Sequence, residues 1–238
     1  GGLATTSAGY AFSGGRRDHQ VSRDEMLAHA AALGEATDRP VSADLENGFG
    51  DDPETVADTV RMAATAGLVG CSIEDSTNRD DDPIYSFEHS VERIVAAVDA
   101  ARGLPFPFML TARSENFLHG RPQLADTIAR LQAYQAAGAD VLYAPGMVKM
   151  DDIAALVRAV ERPVNVLAGM QGVHFRLAEL SAIGVKRVSV GGALSRVALG
   201  AFLRAAREMR EHGTFGFVDE PISSREIASM FDAREAAI

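Results

Sequence analysis

A recurring connection from a helix to a strand, marked by glycine or proline, constrains the fold of this 238-residue chain more than any other feature. At three places a helix-like stretch ends in glycine, at Gly67, Gly138 and Gly184, and a short run with β-branched residues follows. Glycine just past a helix takes the left-handed conformation without steric cost. A second such connection places Pro40 and Pro163 before short apolar runs, and proline can open a strand but cannot continue a helix. The pattern predicts a chain that alternates between helix and strand.

The alternation predicts seven strands and a series of amphipathic helices between them. The predicted strands are Leu3–Thr6, Val41–Leu45, Gly70–Ile73, Phe108–Ala112, Val141–Tyr143, Val164–Leu167 and Arg187–Val190. The helices that read most clearly are Pro53–Ala66, Phe87–Ala101, Gln123–Ala137, Asp151–Val160 and Ala193–His212. Strands that alternate with helices in this way indicate βα units and a parallel sheet.

Seven strands are one fewer than a (β/α)8 barrel requires. The chain begins at Gly1 without Met, inside a strand-like run, so we expect its first βα unit to be missing. We predict an α/β protein of the (β/α)8 TIM type, with a catalytic barrel domain over residues 1–216 and a helical extension of that domain over residues 217–238. A seven-stranded open sheet is the alternative.

Composition excludes several classes of protein. The 33 acidic and 23 basic residues give a net charge of −10, which disfavours a nucleic-acid partner. The hydrophobic fraction of 47% can bury a core, and the single cysteine excludes a disulfide scaffold or a cysteine zinc cluster. No apolar run approaches the roughly 20 residues that cross a bilayer, and no signal segment opens the chain. We therefore expect a cytoplasmic protein without a membrane partner.

Charged side chains end three neighbouring predicted strands. Side chains alternate between the two faces of a strand, so turning Asp44 and Glu46 inward sends the apolar residues beside them outward. The same alternation turns Glu74 and Arg113 inward at the ends of the next two strands. Barrel enzymes carry their chemistry at this carboxyl edge. We predict that the four side chains meet at one rim.

Carboxylates that converge in a cleft repel one another unless a cation neutralises them. A set of oxygen ligands without cysteine or histidine favours a hard cation, most simply Mg²⁺. Arg113 would then bind a substrate carboxylate or a developing oxyanion. In the alternative interpretation, the acids are solvated loop charges or pair with arginine for structural reasons.

The same region carries an ordered set of motifs. Residues 44–50 read Asp-Leu-Glu-Asn-Gly-Phe-Gly, residues 73–75 read Ile-Glu-Asp, and residues 112–114 read Ala-Arg-Ser. In this order they resemble the phosphoenolpyruvate mutase/isocitrate lyase superfamily, whose members carry Asp-x-Asp-x-Gly-Phe/Tyr-Gly, Ile/Leu-Glu-Asp and Ala-Arg-Thr/Ser at the ends of successive strands. The resemblance runs from about Leu3 to the end of the chain.

The resemblance implies a metal site and a substrate site, residue by residue. Asp44 matches the direct Mg²⁺ ligand, and the acids that hold the water shell of the ion match Asp18, Glu46 and Glu74. Ser7, Ala8 and Gly9 match a loop after a strand, whose hydroxyl and backbone N–H groups hold the 2-oxo acid end of the substrate. Arg113 matches an arginine beside the reacting centre. The predicted substrate contacts are thus Ser7, Ala8, Gly9, Asp44 and Arg113, and the predicted catalytic residues are Arg113, Glu74 and Asn165.

The resemblance also implies a reaction and an assembly. Family members bind or make a 2-oxo acid, and they break or form a C–C or P–C bond next to it through a pyruvate enolate held by Mg²⁺. A divalent ion that chelates a carboxylate and a carbonyl lowers the energetic cost of that enolate. The usual assembly is a homotetramer, a dimer of dimers, in which a C-terminal helix is exchanged between subunits. Packing of this helix on its own barrel is the alternative.

Departures from the family pattern narrow the activity. The lyase loop Lys-Lys/Arg-Cys-Gly-His should follow Asp75, but residues 76–83 read Ser-Thr-Asn-Arg-Asp-Asp-Asp-Pro. Without that proton donor, isocitrate and methylisocitrate cleavage are disfavoured, which leaves decarboxylase-like or hydrolase-like members, other lyase-like members, and relatives of uncharacterised activity. Glu46 also stands where the family has aspartate, which lengthens the side chain by about one methylene.

Other groups and functions stay open at this point. Cys71 is predicted to face the helices as a buried thiol, and His174 is a candidate ligand contact near the rim. Asn165 could reach a substrate carboxylate, or it could be a buried amide bonded to the backbone. Glycines such as Gly169 and Gly191 after the last two strands would suit a sugar-phosphate enzyme, although no lysine ends a strand to form a Schiff base. A non-catalytic binder of 2-oxo acids is a further alternative.

Overall fold

The computed structural model describes residues 2–219 and 221–235. The strands are β1 (Leu3–Ala4), β2 (Val41–Asp44), β3 (Gly70–Glu74), β4 (Met109–Arg113), β5 (Val141–Tyr143), β6 (Val164–Leu167) and β7 (Arg187–Ser189). The helices are α1 (Ser7–Ser13), α2 (Arg23–Glu35), α3 (Pro53–Thr65), α4 (Phe87–Arg102), α5 (Leu124–Ala137), α6 (Met150–Ala159), α7 (Leu177–Ala182), α8 (Ala193–His212) and α9 (Ser224–Glu235).

Local sequence signals fix where several helices begin and end. Ser22 and Glu25 form a reciprocal capping box at the start of α2. Pro53 occupies the first turn of α3, where its missing N–H costs nothing. Gly138 ends α5 with φ of 107°, a left-handed conformation that glycine adopts without strain. The first two signals start a helix, and the third ends one three residues before β5 begins at Val141.

The strands form one parallel sheet in the order β1 to β7. Asp44 pairs with Ser72 in the register of β2 and β3, and Glu74 pairs with Arg113 in the register of β3 and β4. Side chains from all seven strands line a single cavity, so the sheet curls around it. The architecture is an α/β fold with a curled, seven-stranded parallel sheet, consistent with a TIM-type barrel. The expected missing βα unit stays a prediction.

The predicted alternation of faces is confirmed in β2 and β3. Val41 and Ala43 are 2% and 1% exposed on the outer face, whereas Asp44 lines the inner cavity. Cys71 is a free, buried cysteine on the outer face, and burial raises the pKa of its thiol. Its apolar neighbours on this face form one core between the sheet and the helices. The core therefore holds the inward side chains in place from behind.

The predicted loop at Ser7, Ala8 and Gly9 is instead the first turn of α1. Thr6 caps this helix, because its hydroxyl oxygen accepts a hydrogen bond from the N–H of Gly9 at 3.5 Å. Helices α2 and α7 were also not predicted. The five helices that were predicted with bounds agree with the observed α3, α4, α5, α6 and α8 to within one residue at each end.

The chain divides into two compact units, Gly1–Ser195 and Arg196–Ile238. The first unit contains the sheet, and the second contains most of α8, a 3₁₀ turn at Gly216–Asp219, and α9. The predicted domain boundary at residue 216 stays a prediction. In the described ranges, every helix is too short or too polar to span a membrane.

Candidate active site

One cavity of about 580 Å³ opens at the carboxyl ends of the strands. Its lining includes Ser7 and Ala8 from α1 and Asp18 from the segment that follows this helix. The strands contribute charged and polar side chains, namely Asp44, Ser72, Glu74, Thr111, Arg113, Tyr143, Asn165, Arg187 and Ser189. The loops above the strands add Ser76, Glu115, Leu118, His119 and Pro145. Most of the predicted site residues therefore lie around a single space.

Arg113 pairs with three carboxylates in this cavity. Its Nη1 lies 2.8 Å from Asp44 Oδ1, its Nη2 lies 2.8 Å from Glu74 Oε2, and its Nε lies 2.9 Å from Glu115 Oε1. The side chains of Glu74 and Glu115 are each only 4% exposed. The guanidinium also packs on the ring of Tyr143, with 5.3 Å between its Cζ and the ring centroid. One positive charge therefore meets three carboxylates in a largely desolvated space.

The electrostatics of these groups follow from burial and from the excess of negative charge. Burial raises the pKa of the Glu74 carboxyl well above its usual value, and the nearby carboxylates add to this effect while Arg113 opposes it. Burial also raises the pKa of Glu115. For Arg113, burial works in the opposite direction, but Glu115, Glu74 and Asp44 outweigh it and raise the pKa of the guanidinium. A further cation would relieve the excess of carboxylate.

A second group of ligand atoms lies beside the first. Glu46 Oε2 is 3.0 Å from His19 Nδ1, and His19 Nε2 is 3.9 Å from Asp18 Oδ2. One ligand atom from each of Asp18, His19 and Glu46 falls within 4.8 Å of the others. The other oxygen of Glu46, Oε1, is buried without a hydrogen-bond partner in the described part of the chain. Such an oxygen is costly to bury unless a cation or a water molecule pairs with it.

Backbone geometry aims the Glu46 side chain. Strand β2 ends at Asp44, and Glu46 takes φ of 51° in the left-handed region, where residues other than glycine are uncommon. Gly48 follows with φ of 81°, and a Cβ there would approach Val56 to 3.0 Å. The Glu46 carbonyl accepts a hydrogen bond from Glu74 N–H at 3.0 Å, which fixes the turn against β3. Glu46 is thereby 4% exposed and directed at His19.

Ser7 connects the two groups of acids. Its Oγ lies 3.2 Å from both Asp18 Oδ1 and Asp44 Oδ2, and its backbone N–H lies 3.4 Å from Asp44 Oδ2. Since a hydroxyl has one proton, Ser7 donates to one carboxylate at a time. The predicted ligands Asp18 and Asp44 are therefore brought together through Ser7. Gly9 is absent from the described lining of the cavity, and its N–H is used by the Thr6 cap.

Two buried polar networks hold the strand ends from outside the cavity. Asp75, next to Glu74, accepts hydrogen bonds from Glu115 N–H at 2.7 Å and from the Tyr134 hydroxyl at 2.8 Å. It also pairs with Arg130 Nη1 at 3.1 Å. The fully buried Arg93 donates to the backbone carbonyls of Asn47, Gly50 and Asp51, which close the loop after β2. These networks fix the backbone from which the site acids project.

Asn165 lies on β6 with 3% exposure and faces the cavity. Its Nδ2 donates to Ser189 Oγ at 2.9 Å, and its Oδ1 has no hydrogen-bond partner among the described residues. The sequence left two interpretations of Asn165 open, a contact to substrate or a buried amide bonded to the backbone. In the described region, its side chain makes no hydrogen bond to the backbone. The unpartnered amide oxygen leaves Asn165 available to a ligand.

Several lining residues were not predicted from the sequence. Tyr143 ends β5 on its inward face, so the alternation of side chains could have indicated it. Glu115 lies two residues beyond Arg113, after the end of β4, where this alternation no longer applies. His19 follows Asp18 directly, but only the fold reveals its contact with Glu46. His119 belongs to a turn after β4 and carried no sequence signal. His174, in contrast, is not among the lining residues that the structure describes.

The fold and the cavity together define the class: a parallel α/β protein with an acid-rich cavity at the carboxyl ends of its strands, the edge at which barrel enzymes carry their chemistry. The chain belongs to the phosphoenolpyruvate phosphomutase family, whose sequence model matches residues 1–210. This confirms the predicted membership of the phosphoenolpyruvate mutase/isocitrate lyase superfamily.

Known relatives have both similar sequences and similar structures. A candidate lyase/mutase from Burkholderia cenocepacia J2315 is 64% identical, with a TM-score of 0.94 over 97% of this chain and 84% of its own. Oxaloacetate decarboxylase from Paraburkholderia xenovorans is 30% identical over 87% of this chain and 69% of its own length. A phosphonopyruvate hydrolase, solved as a complex with oxalate and Mg²⁺, is 26% identical, with a TM-score of 0.83 over all of this chain and 85% of its own.

Proposed function

We propose that the protein is an Mg²⁺-dependent enzyme that acts on a small 2-oxo acid and breaks a C–C or P–C bond through an enolate of the pyruvate type. The observation that carries the proposal is the excess of carboxylate around Arg113. Asp44, Glu74 and Glu115 share its single positive charge inside one cavity. Carboxylates in such a space are stabilised by a divalent cation, and the cation in turn binds an anionic substrate.

The residues present fit Mg²⁺. They offer carboxylate oxygens, the ligands that this ion prefers, and Glu46 Oε1 is a buried acceptor without a partner in the described structure. Asp44 would hold the ion directly, and Asp18, Glu46 and Glu74 would hold its water shell. When bound, the ion supplies Lewis-acid chemistry, because it polarises the oxo group and lowers the cost of the enolate.

The chain's own side chains would bind and orient the substrate. Arg113 presents three N–H donors to oxygens within the cavity, and a substrate carboxylate or developing oxyanion would take the place of one of its present partners. Ser7 and Ala8 would hold the 2-oxo acid end, with the Ser7 hydroxyl already placed between two acids, whereas Gly9 lies outside the described lining and its N–H is used by the Thr6 cap. Asn165 would contact the substrate from β6, where its amide oxygen Oδ1, which has no partner in the described structure, can accept a hydrogen bond.

Two relatives support this choice of chemistry. One is an oxaloacetate decarboxylase, and another binds oxalate with Mg²⁺. Oxalate is a planar dianion with the same pair of chelating oxygens as the enolate of pyruvate, so a site built for that enolate should hold it. Residues 76–83 lack the cysteine and histidine of the lyase loop. This favours a decarboxylase-like or hydrolase-like reaction over cleavage of isocitrate or methylisocitrate.

We extend the proposal to a homo-oligomer, a dimer of dimers, in which the C-terminal helix is exchanged between subunits. Helix α8 has no buried residue, and Val197 and Phe202 are each 68% exposed. In the second unit, Met230 and Phe231 of α9 are 61% and 73% exposed. Monomers rarely leave apolar surface of this extent uncovered, and a second copy of the chain would cover it.

The proposed function is tested by oxalate binding and by turnover. Calorimetry should detect oxalate binding that requires Mg²⁺, and a panel of oxaloacetate, phosphonopyruvate and methylisocitrate should reveal turnover that requires Mg²⁺. Asp44→Asn should abolish both while leaving the fold intact by circular dichroism. Asp58→Asn is the matched control, because Asp58 is an exposed acid paired with Arg61.

Three outcomes would count against the proposal. Full turnover by Asp44→Asn would show that the metal assignment is wrong. Oxalate binding without turnover of any acid would favour a non-catalytic binder. Neither binding nor turnover in the unaltered protein would exclude the 2-oxo acid site altogether.

A further inference from the structure

His119 and Ser76 meet at the wall of the cavity. His119 Nε2 lies 3.3 Å from Ser76 Oγ, and both residues line the same space as Glu74 and Arg113. They come from the segments that follow β3 and β4, the two strands that carry this acid and this arginine. The pair therefore lies at the carboxyl edge of the sheet, where the substrate is expected.

The backbone holds both members of the pair in place. Ser76 is 2% exposed and forms an isolated bridge with Ile84, which closes the loop between them. The backbone N–H of His119 lies 3.2 Å from the carbonyl oxygens of Glu115 and Asn116, in a tight turn after β4. The imidazole is thus presented from an anchored turn and steadied by a buried hydroxyl.

His119 lines the cavity but belongs neither to the carboxylates paired with Arg113 nor to the candidate metal group of Asp18, His19 and Glu46. Arginine side chains stay protonated and cannot shuttle a proton near neutral pH. Each of the other titratable groups in the described lining already has a proposed role or a partner. Asp18, Asp44 and Glu74 are proposed metal-site acids, and Glu115 is paired with Arg113. His19 is bonded to Glu46, and Tyr143 contacts Arg113 and Ser189. His119 contacts Ser76 and makes no ion pair within the described chain.

The surroundings of His119 suit a group that both takes and gives a proton. Burial lowers the pKa of the imidazole below 6.5; the charge of Asp75 opposes this effect, and the charges of Arg121 and His19 reinforce it. The neutral ring, which can accept a proton, is therefore favoured at pH 7, and its protonated form can give that proton to a substrate.

We propose that His119 carries the proton at the carbon next to the oxo group, and that Ser76 is the residue that positions its ring. This inference rests on the proposed function, and it supplies the proton donor that the sequence of residues 76–83 lacks. His119 would be a catalytic residue, because the proton passes directly between its ring and the substrate carbon.

The proposed step balances without a further reactant. When the bond to the leaving group breaks, its electron pair stays on the substrate as the enolate. Protonated His119 then gives its N–H proton to the carbon; the enolate C=C pair forms the new C–H bond, and the oxygen re-forms C=O. Water returns a proton to the neutral imidazole. If carbon dioxide is the leaving group, the products are carbon dioxide and a 2-oxo acid.

The reverse half of this step gives the sharpest experiment. Neutral His119 would remove a methyl proton from pyruvate, so the protein with Mg²⁺ in D₂O should exchange the methyl protons of pyruvate for deuterium, as followed by proton NMR. His119→Gln should slow this exchange by about 100-fold, a usual contribution of a general acid–base group. Ser76→Ala should slow it less, by roughly tenfold, because the ring keeps its chemistry and loses only its orientation.

Oxalate binding separates proton transfer from binding and folding. For His119→Gln, the Mg²⁺-dependent affinity for oxalate should stay within about twofold of the unaltered protein, because oxalate needs no proton transfer. His174→Gln is the matched control, since His174 is an exposed histidine outside the described cavity lining. Its exchange rate should be unchanged. Ser76→Ala should show slower exchange with unchanged oxalate affinity, which a merely structural contact between two loops would not produce.

The outcomes are distinct from those that test the proposed function. Exchange at the unaltered rate in His119→Gln would overturn the inference while leaving the metal and 2-oxo acid site standing. A parallel loss of oxalate affinity would also overturn it, because His119 would then be a binding residue. An unaltered protein that binds oxalate with Mg²⁺ but never exchanges pyruvate would contradict the inference as well. Absence of both oxalate binding and exchange would overturn the proposed function itself.

Discussion

Replacing Arg113 with methionine should leave two buried carboxylates without their cation. Glu74 and Glu115 are each 4% exposed and pair with separate nitrogens of the Arg113 side chain at 2.8 and 2.9 Å. Asp44 is 19% exposed, and water can replace part of what it loses. The destabilisation should therefore come mainly from the two glutamates.

The magnitude follows from the burial of the pairs. Removing one partner of a buried ion pair costs about 3–5 kcal/mol, because the other charge remains desolvated and unpaired. We expect the free energy of unfolding of Arg113→Met to be lower by about this amount at pH 8. The exposed pair of Arg61 with Asp58 gives the contrast: Arg61→Met should cost at most about 1 kcal/mol.

The loss of unfolding free energy in Arg113→Met should be larger at high pH than at low pH. Burial already raises the pKa values of Glu74 and Glu115, and removal of the Arg113 charge raises them further. The folded variant then binds more protons than its unfolded chain, so its stability falls as pH rises from the ordinary glutamate pKa of about 4.3 toward the raised folded values. At pH 5 each carboxyl is more easily protonated, and the destabilisation should be smaller than at pH 8.

Urea denaturation at pH 5 and pH 8, with a chelator present to remove metal, measures the free energy of unfolding that Arg113→Met loses and the change of this loss with pH. The unaltered protein and Arg61→Met provide the references at each pH. A loss below about 1 kcal/mol at pH 8, or a loss that is equal at both values of pH, would refute the idea that Arg113 compensates buried carboxylates.

Two further substitutions address elements outside the cavity. Arg130→Met removes the cation from Asp75, which is 2% exposed, and should lower the free energy of unfolding by about 3–5 kcal/mol in urea denaturation; an unchanged midpoint would contradict this role. Ser22→Ala removes half of the capping box of α2 and should cost about 1 kcal/mol by calorimetry. The backbone N–H of Ser22, the Arg16 guanidinium and the Ser22 hydroxyl lower the pKa of Glu25 from 4.5 to about 2. Ser22→Ala removes only the hydroxyl, so the part of the cost that comes from its bond to the Glu25 carboxylate should be present above pH 4.5 and shrink as pH falls toward 2. A cost that did not change over this range would argue against the carboxylate's share in the cap.

The strands could be predicted from the sequence because their signals are local. Glycine or proline marks the start of most of them, and inward and outward residues alternate within each. The predicted bounds differ from the observed ones by at most two residues at any strand end. The rim formed by Asp44, Glu74 and Arg113 followed from the same alternation, since parallel strands end at one edge.

The contacts beyond the strand ends could not be predicted in this way. Glu46 was expected to turn inward as a continuation of β2, but the strand ends at Asp44 and the positive φ of Glu46 directs its carboxylate to His19. Glu115 is held by a bond to Asp75, 40 residues earlier in the chain. Such positions depend on which loops meet in the folded chain, and no periodicity in the sequence encodes them.

A different error affected Ser7. The family resemblance placed Ser7, Ala8 and Gly9 in a loop, whereas Thr6 supplies a cap that starts a short helix at Ser7. The cap uses the N–H of Gly9 that the family resemblance had assigned to the substrate. A single threonine thus changes which backbone donors remain for a ligand.

The neighbours Glu74 and Asp75 have opposite surroundings, which matters for anyone who reads a mutational scan of this protein. Glu74 faces the cavity, while Asp75 is tied to Arg130 and Tyr134 on α5. A library scored by turnover alone would rank both positions as intolerant and would suggest a catalytic diad. Scoring the same library by soluble yield should separate them: Asp75 variants would be lost from the cell, and Glu74 variants would accumulate as folded, inactive protein.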